Sequence, residues 1–340
     1  MVPNASEPSE CRLPAMSVVI ATPDRYETIR TTIRYLRAQT VREQIEIVIV
    51  APSLEQLALQ ESELEGFHGF RVVEVGPIRS VGTANAAGIR RASAPVVALA
   101  EDHAYPDPDW AAALIETHRQ PWAAVGPVLR NANPDSPISW ADFLIAYAPW
   151  VDSTPAGVVA HLPGHNSSYK REILLGYGDE LEAMLEAETV LQWGLRAKGY
   201  ALYLQPAAKV SHTNFALPSS WMASQFHCGR MFAATRAEES HWSVLRRLFY
   251  AGAAPLIPLV RLSRVLPTLR RTRRHENLPR GVLPALCFGL VVDGVGQLLG
   301  YLAGAGDARQ RMSDLEYHRD HHITRSDKDR QKLADASVLR

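Results

Sequence analysis

Three consecutive polar residues, Glu101-Asp102-His103, place two carboxylates and an imidazole directly after the apolar segment Val96–Ala100. Five apolar residues bounded by polar ones read as a short buried strand. Side chains two apart on an extended backbone point to the same side, so Glu101 and His103 can share one cation. Pro106 and Pro108 stiffen the exit from the cluster. In open parallel sheets ligands gather beyond the carboxyl ends of strands, so polar residues there read as a site. Other chemistry-bearing side chains lie further on. A polar run at 163–171 reads PGHNSSYKR, and a helical stretch at 181–198 carries Glu182, Glu186 and Glu188. A second helical stretch at 221–236 carries His227, Gly229 and Arg230.

A site of this kind needs strands that end together. Residues 17–21 (SVVIA) form the first strand candidate, closed by Thr22-Pro23-Asp24-Arg25. A helix at 28–39 follows, with Ile29, Ile33 and Leu36 on one face. The run IEIVIV at 45–50 is almost wholly apolar and predicts a strand covered on both faces. Residues 54–64 read as a helix, 70–75 as a third strand, 84–92 as a helix, and 96–100 as the fourth strand. Beyond the cluster come a helix at Trp110–Thr117, a strand at 123–129, and an aromatic-rich loop at 131–150 with a helix inside. The helix at 181–198 stops at Gly199, a good residue to end a helix. Strands at 201–204 and 209–212 then finish in Ser211-His212. This alternation predicts an α/β protein with a mostly parallel sheet and helices on both faces. No GxGxxG follows the first strand and no Walker sequence occurs, which disfavours a dinucleotide dehydrogenase and a P-loop enzyme.

The 340 residues are 46% hydrophobic and 21% charged, as in a folded enzyme. A formal net charge of +0 supplies no general attraction to nucleic acid. Three scattered cysteines, Cys11, Cys228 and Cys287, fit a reducing compartment rather than a disulfide framework. Residues 1–15 read as a disordered leader and 16–240 as the α/β domain. Residues 241–306 change in character: 248–262 is apolar, five arginines (Arg264, Arg270, Arg271, Arg273, Arg274) follow, and 281–304 is apolar over a membrane-spanning length. Asp293 and Gln297 interrupt that last run, and a central Asp costs a spanning helix about 3 kcal/mol. Apolar helices beside an arginine cluster therefore predict a monotopic anchor on the anionic cytoplasmic face of the cell membrane, ahead of one or two spans. A buried helical pair in an oligomer interface is the competing account. Residues 307–340 read as a mobile charged tail, with His318, His321, His322 and Asp320 on a solvated face.

Five motifs follow one another: SVVIATPDR at 17–25, VGTANAAGIRRA at 81–92, VALAEDHAYPDPDW at 97–110, PGHNSSYKREIL at 163–174, and EAETVLQWGLRAKGYALYLQPAAKVSH at 186–212. In this order they resemble a family-two glycosyltransferase of the GT-A fold, over roughly residues 16–236. The resemblance implies an inverting, metal-dependent transfer of a sugar from a nucleoside-diphosphate donor. Leaving diphosphate charge would be neutralised by a divalent cation. Hard oxygen ligands suit Mg2+ or Mn2+, and an imidazole shifts the preference toward Mn2+. Glu101 and His103 take the outer positions of the Asp-x-Asp motif, with His212 a third ligand. Asp102 between them bonds the ribose or supports the loop. Thr22, Pro23, Asp24 and Asn85 fall in the nucleotide-binding segments, and Gly164, His165 and Asn166 on the acceptor side. Counting back from Gly199-Tyr200, the base that deprotonates the acceptor hydroxyl falls on Glu188, with Glu186 one turn away as runner-up.

The sequence departs from the family pattern in three places. The second strand usually ends in an acid that reads uracil, but here it runs into Ala51-Pro52-Ser53, leaving Asp24 and Ser53 as the nearest polar groups. The arginine common before the pre-motif Asn is Ala84. The QxxRW sequence of processive synthases is absent, although Arg230 could reach the diphosphate, so one sugar per encounter is implied. Expected partners are the nucleotide sugar, a lipid-linked or cell-surface glycan acceptor, and the membrane surface, with no nucleic acid. The altered strand end also leaves room for a catalytically silent GT-A module within a glycan synthesis complex. A nucleotidyltransferase would need a glycine-rich basic loop after its first strand, and TPDRYET offers none.

Overall fold

Strands β1 (Met16–Ala21) and β2 (Ile45–Ala51) are buried along their whole length, as their almost wholly apolar sequences require, with the polar exceptions Ser17 and Glu46 bonded to each other. One face of β1 sends Val18 and Ile20 into a core with Ile29, Ile33 and Leu36 of helix α1 (Tyr26–Arg37). The other face sends Val19 toward helix α3 (Val81–Arg91), where Gly88 lets the two elements touch: a Cβ there would lie 2.4 Å from Val19. Between them lies α2 (Leu54–Leu57), far shorter than the expected helix. It stops because Ala58 turns left-handed at φ 49°, and a 3-10 turn replaces the remainder. The computed structural model describes residues 13–186 and 188–338, so most of the leader expected at 1–15 lies outside the described residues.

The sheet runs β3-β2-β1-β4-β8-β6-β9-β5, with β7 on β9. Here β3 is Gly69–Glu74, β4 Val96–Ala100, β5 Ala104–Pro106, β6 Ala124–Asn131, β7 Gly157–Val159, β8 Ser168–Lys170 and β9 Leu202–His212. The first four strands are parallel, as the sequence predicts. The second half is mixed. Strand β8 inserts antiparallel between β4 and β6, and β5 pairs antiparallel with β9. Three-residue strands leave no hydrophobic period to detect, so neither was legible. The expected pair of strands at 201–212 is one strand whose register slips opposite Pro127 and Val128.

Helices α4 (Trp110–Thr117) and α5 (Pro137–Tyr147) cover the sheet, and α6 (Arg171–Leu175) follows β8. The glutamate-bearing stretch supplies the helical residues Leu181–Glu186 (α7) and Glu188–Ala197 (α8) and ends at Gly199 with φ 85°. Helix α9 (Pro218–Glu239) then crosses α12 (Val282–Ala303) at backbone distance, because small residues line the crossing. A Cβ on Gly296 would meet the Phe226 carbonyl at 2.1 Å, and one on Gly300 the Arg230 carbonyl at 2.3 Å. Asp293, the interruption in the apolar run, is buried and pairs with Arg261 at 2.6 Å and Gln297 at 2.9 Å. Helix α12 is long and apolar enough to cross a membrane, yet one side is built into the domain while Phe288, Val291, Val295 and Leu302 stay exposed. Helices α10 (Val244–Gly252) and α11 (Ile257–His275) flank it.

The mobile tail expected at 307–340 is instead two helices, α13 (Ala308–Glu316) and α14 (Arg325–Val338), joined by a 3-10 turn. Arg319 in that turn is 4% exposed and carries Phe215 against its guanidinium at 3.7 Å. A charged sequence read as solvated because its burying partners are supplied by α5, α9 and Phe215 in the loop between β9 and α9, remote in the chain.

Candidate active site

Strand β4 ends at Ala100, and the next three residues deliver the polar cluster. Pairing of β5 with β9 sets Ala104 opposite His212, which carries the imidazole of His212 to that of His103. The ring centroids are 4.9 Å apart. Donor atoms of Glu101, His103 and His212 all lie within 4.8 Å of one another. Glu101 approaches His103 Nε2 at 3.7 Å and His212 Nε2 at 3.6 Å. Asn166, left-handed at φ 62°, donates to Glu101 at 3.1 Å and fixes the carboxylate.

Each imidazole is oriented from behind. Asp102 accepts from His103 Nδ1 at 2.6 Å, and Asn214 accepts from His212 Nδ1 at 3.0 Å. Such bonds set the tautomer and aim Nε2 at a shared ligand. His212 Nε2 receives the Tyr147 hydroxyl at 3.1 Å, whereas His103 Nε2 is buried without a hydrogen-bond partner. Burial, reinforced by charge from Arg319 and neighbouring imidazoles, holds both histidines well below their usual range. They stay neutral, as ligands must. Burial also pushes Glu101 up to about 7. One carboxylate, two neutral imidazoles and an orphaned ring nitrogen fit a divalent cation of the Mn2+ kind.

Glu188 opens α8 beside this cluster. His165 Nε2 bonds Glu188 at 2.9 Å while its Nδ1 faces Glu101 at 3.6 Å, so one imidazole links the two carboxylates. Burial alone would lower His165, but Glu101 and Glu188 override it and raise it to about 10. Burial alone would raise Glu188, and the His165 cation overrides that, holding it below the usual carboxylate range. Gly164 permits the approach, since a Cβ there would lie 2.7 Å from the Glu188 carboxyl carbon. Glu186 points elsewhere. It accepts from the Gly82 backbone at 3.2 Å and from the Ser80 hydroxyl at the start of α3.

The nucleotide-side residues are only partly gathered. Asn85 is 3% exposed and lines a cavity of about 30 Å3 with Ala21, Asp102, His103, Glu316 and Tyr317. Thr22 closes β1, its hydroxyl accepting from the Asp24 backbone at 3.2 Å, and the Pro23 carbonyl accepts from Gln56 at 2.7 Å. Asp24 faces His318 at 3.3 Å. Ser53 caps α2 by accepting from the Gln56 backbone at 3.1 Å. The spacing Ser53-x-x-Gln56 matches the capping-box pattern. Arg230 donates to the Gly304 carbonyl at 2.9 Å and lines neither cavity. Sequence reasoning missed Tyr147, Asn214, Glu316 and Arg319. No local pattern marks the last two, which lie in the supposed tail.

A second cavity, of about 770 Å3, runs from Glu188, His165 and His212 to Leu256, Ile257 and Val260. It is wide enough for a small-molecule substrate. One end is polar and acidic, the other apolar.

Residues 17–178 match the sequence model of glycosyl transferase family 2. No curated protein matches the chain. Among solved structures, a mannosyltransferase from Pyrobaculum calidifontis in complex with GDP-Man and Mn2+ is 17% identical, with 87% of each chain covered and a TM-score of 0.51. That likeness is one of fold, and the mixed sheet described above is the GT-A sheet the sequence led us to expect. S. aureus TarS in complex with UDP is 15% identical, covering 87% of this chain and 91% of that one, with a TM-score of 0.45. GalNAc-T7 with UDP, GalNAc and Mn2+ is 16% identical over 62% of this chain and 47% of its own, with a TM-score of 0.45. The chain therefore spans about half the length of GalNAc-T7.

Proposed function

We propose that this chain, whose residues 17–178 match the glycosyl transferase family 2 model, is an inverting, metal-dependent glycosyltransferase acting on a lipid-linked or cell-surface glycan precursor at the cytoplasmic membrane face. Glu101, His103 and His212 would hold Mn2+ or Mg2+, which would offset the diphosphate charge of a departing nucleotide. Glu188 would take the proton of the attacking hydroxyl. Gly164, His165 and Asn166 would shape the acceptor side. The observation that carries this reading is the His165 bridge, which sets an ionised carboxylate 2.9 Å away on one side and the cation-binding Glu101 3.6 Å away on the other. An inverting displacement needs that arrangement, with the base on the acceptor side and positive charge on the leaving-group side.

With Mn2+ and a panel of nucleotide sugars, the full-length protein should release UDP or GDP from at least one donor. Release from none of them, with the protein folded, would defeat the reading.

Exposed apolar residues support the membrane half of the proposal. On α10 and α11, Leu245 is 80% exposed and Phe249 71%, and Leu256 and Leu259 stand beside them. They continue from the apolar end of the 770 Å3 cavity, where an acceptor's hydrocarbon tail would leave toward lipid. Arg246 and Arg264 on the same two helices are exposed and suit an anionic surface. Burying each such side chain is worth about 1.5–3 kcal/mol. Leu245→Glu with Phe249→Glu should therefore weaken sedimentation with anionic vesicles by at least ~10-fold at unchanged circular dichroism. Undiminished sedimentation would remove the anchor.

A further inference from the structure

We propose that residues 316–323, from the last residue of α13 through the turn before α14, form a strap that closes the donor site, with the Glu316 carboxylate standing where a donor phosphate must go. This rests on the nucleotide-sugar reading above and adds a step to it: the strap has to leave before a donor can bind.

Successive strap residues touch the expected donor site. Glu316 lies 3.6 Å from the orphaned Nε2 of His103. Tyr317 is buried and lines the small cavity together with Asn85 and Asp102. His318 faces Asp24, in the turn after β1, at 3.3 Å. Arg319 is paired with Glu316 and lies 3.8 Å from Asp142. His322 then fastens the strap to the start of α9, its carbonyl accepting from Ala216 at 3.0 Å and its Nδ1 meeting Ser220 at 2.8 Å.

Size and charge both exclude a donor while this persists. A cavity of about 30 Å3 has room for a water molecule or two, whereas small-molecule sites run from about 300 Å3. A diphosphate brought beside the Glu316 carboxylate, which lines the small cavity, would meet like charge at short range. The strap is also built to move. Gly304 and Gly306 sit left-handed at φ 72° and 55° immediately before α13. The flanking helices are tied down by ion pairs that are about half exposed, Arg309 with Glu238 at 3.0 Å and Arg330 with Asp135 at 2.5 Å. Such pairs hold weakly in water.

The test is hydrogen exchange on the full-length wild-type chain with Mn2+, with and without UDP or GDP, alongside calorimetry on wild type and Glu316→Gln. Nucleotide should speed exchange across 313–324 by at least ~10-fold, and Glu316→Gln should bind the nucleotide about tenfold tighter, because one competing charge is gone. A nucleotide that binds wild type while 313–324 exchanges at the same rate or more slowly overturns the strap and leaves the donor reading intact. If neither protein binds either nucleotide, the donor reading itself fails. Should Glu316→Gln misfold, the wild-type exchange result decides alone.

Discussion

Glu188→Gln should lower sugar transfer by roughly 10^3-fold, the usual reach of general acid–base catalysis, while donor affinity stays within about twofold. That loss corresponds to about 4 kcal/mol of transition-state stabilisation. The carboxylate faces the larger cavity at the start of α8, beside Gly164, whose missing side chain gives it room. Its bond to the His165 cation keeps it ionised, and so able to accept a proton, at neutral pH. Gln keeps the shape and can still accept from His165, so the cation cluster beyond should stand undisturbed. Because the native pKa is depressed, this group stabilises the fold above its unfolded pKa, and the contribution is lost only as pH falls through the lower native value. The acid limb of the pH profile that Glu188 sets should accordingly lie no higher than that of an ordinary carboxylate. Released nucleotide gives turnover, and calorimetry gives donor affinity. Preserved turnover with lost affinity would move the base elsewhere.

What could be read in advance follows from which signals are local. The parallel half of the sheet announced itself through almost wholly apolar runs such as IEIVIV, whereas Glu101 and His103 come together across the turn after β4 and not along the extended backbone expected of them. His212 is different. Its place beside His103 depends on β5, three residues long, pairing antiparallel with a strand about a hundred residues later, so only the resemblance could suggest it. The choice of Glu188 over Glu186 likewise rested on motif counting, and the structure separates them by partner: His165 for one, the start of α3 for the other. Ser53 and Arg230 were credited with donor contacts because they are polar and nearby in the pattern. Each is engaged in a structural bond instead, one capping a helix and one holding the end of α12. The largest surprise is the last segment. Charge patterning said solvent, yet Glu316 and Arg319 reach the centre of the site because they pair with each other and with Asp142 and His103. Burying paired charge carries no hydrophobic signature.

The other large effect concerns the cation. His103 presents an unpartnered, neutral Nε2 toward Glu101, with its tautomer set by Asp102 at 2.6 Å. Loss of groups that only orient a ligand costs 10–100-fold in metal affinity, so loss of the ligand itself should cost more. Alanine removes the imidazole without placing a new charge in the cluster, which leaves Glu101 and His212 as an incomplete pair. His103→Ala should therefore bind Mn2+ at least ~100-fold more weakly and transfer no sugar.

Calorimetric titration of Mn2+ into wild-type and His103→Ala protein, with nucleotide present, tests the account at its centre. It predicts one ion bound per wild-type chain and affinity in the variant lower by two orders of magnitude or more, with transfer abolished. Equal Mn2+ affinity in the two proteins, with sugar transfer unchanged in the variant, would contradict it.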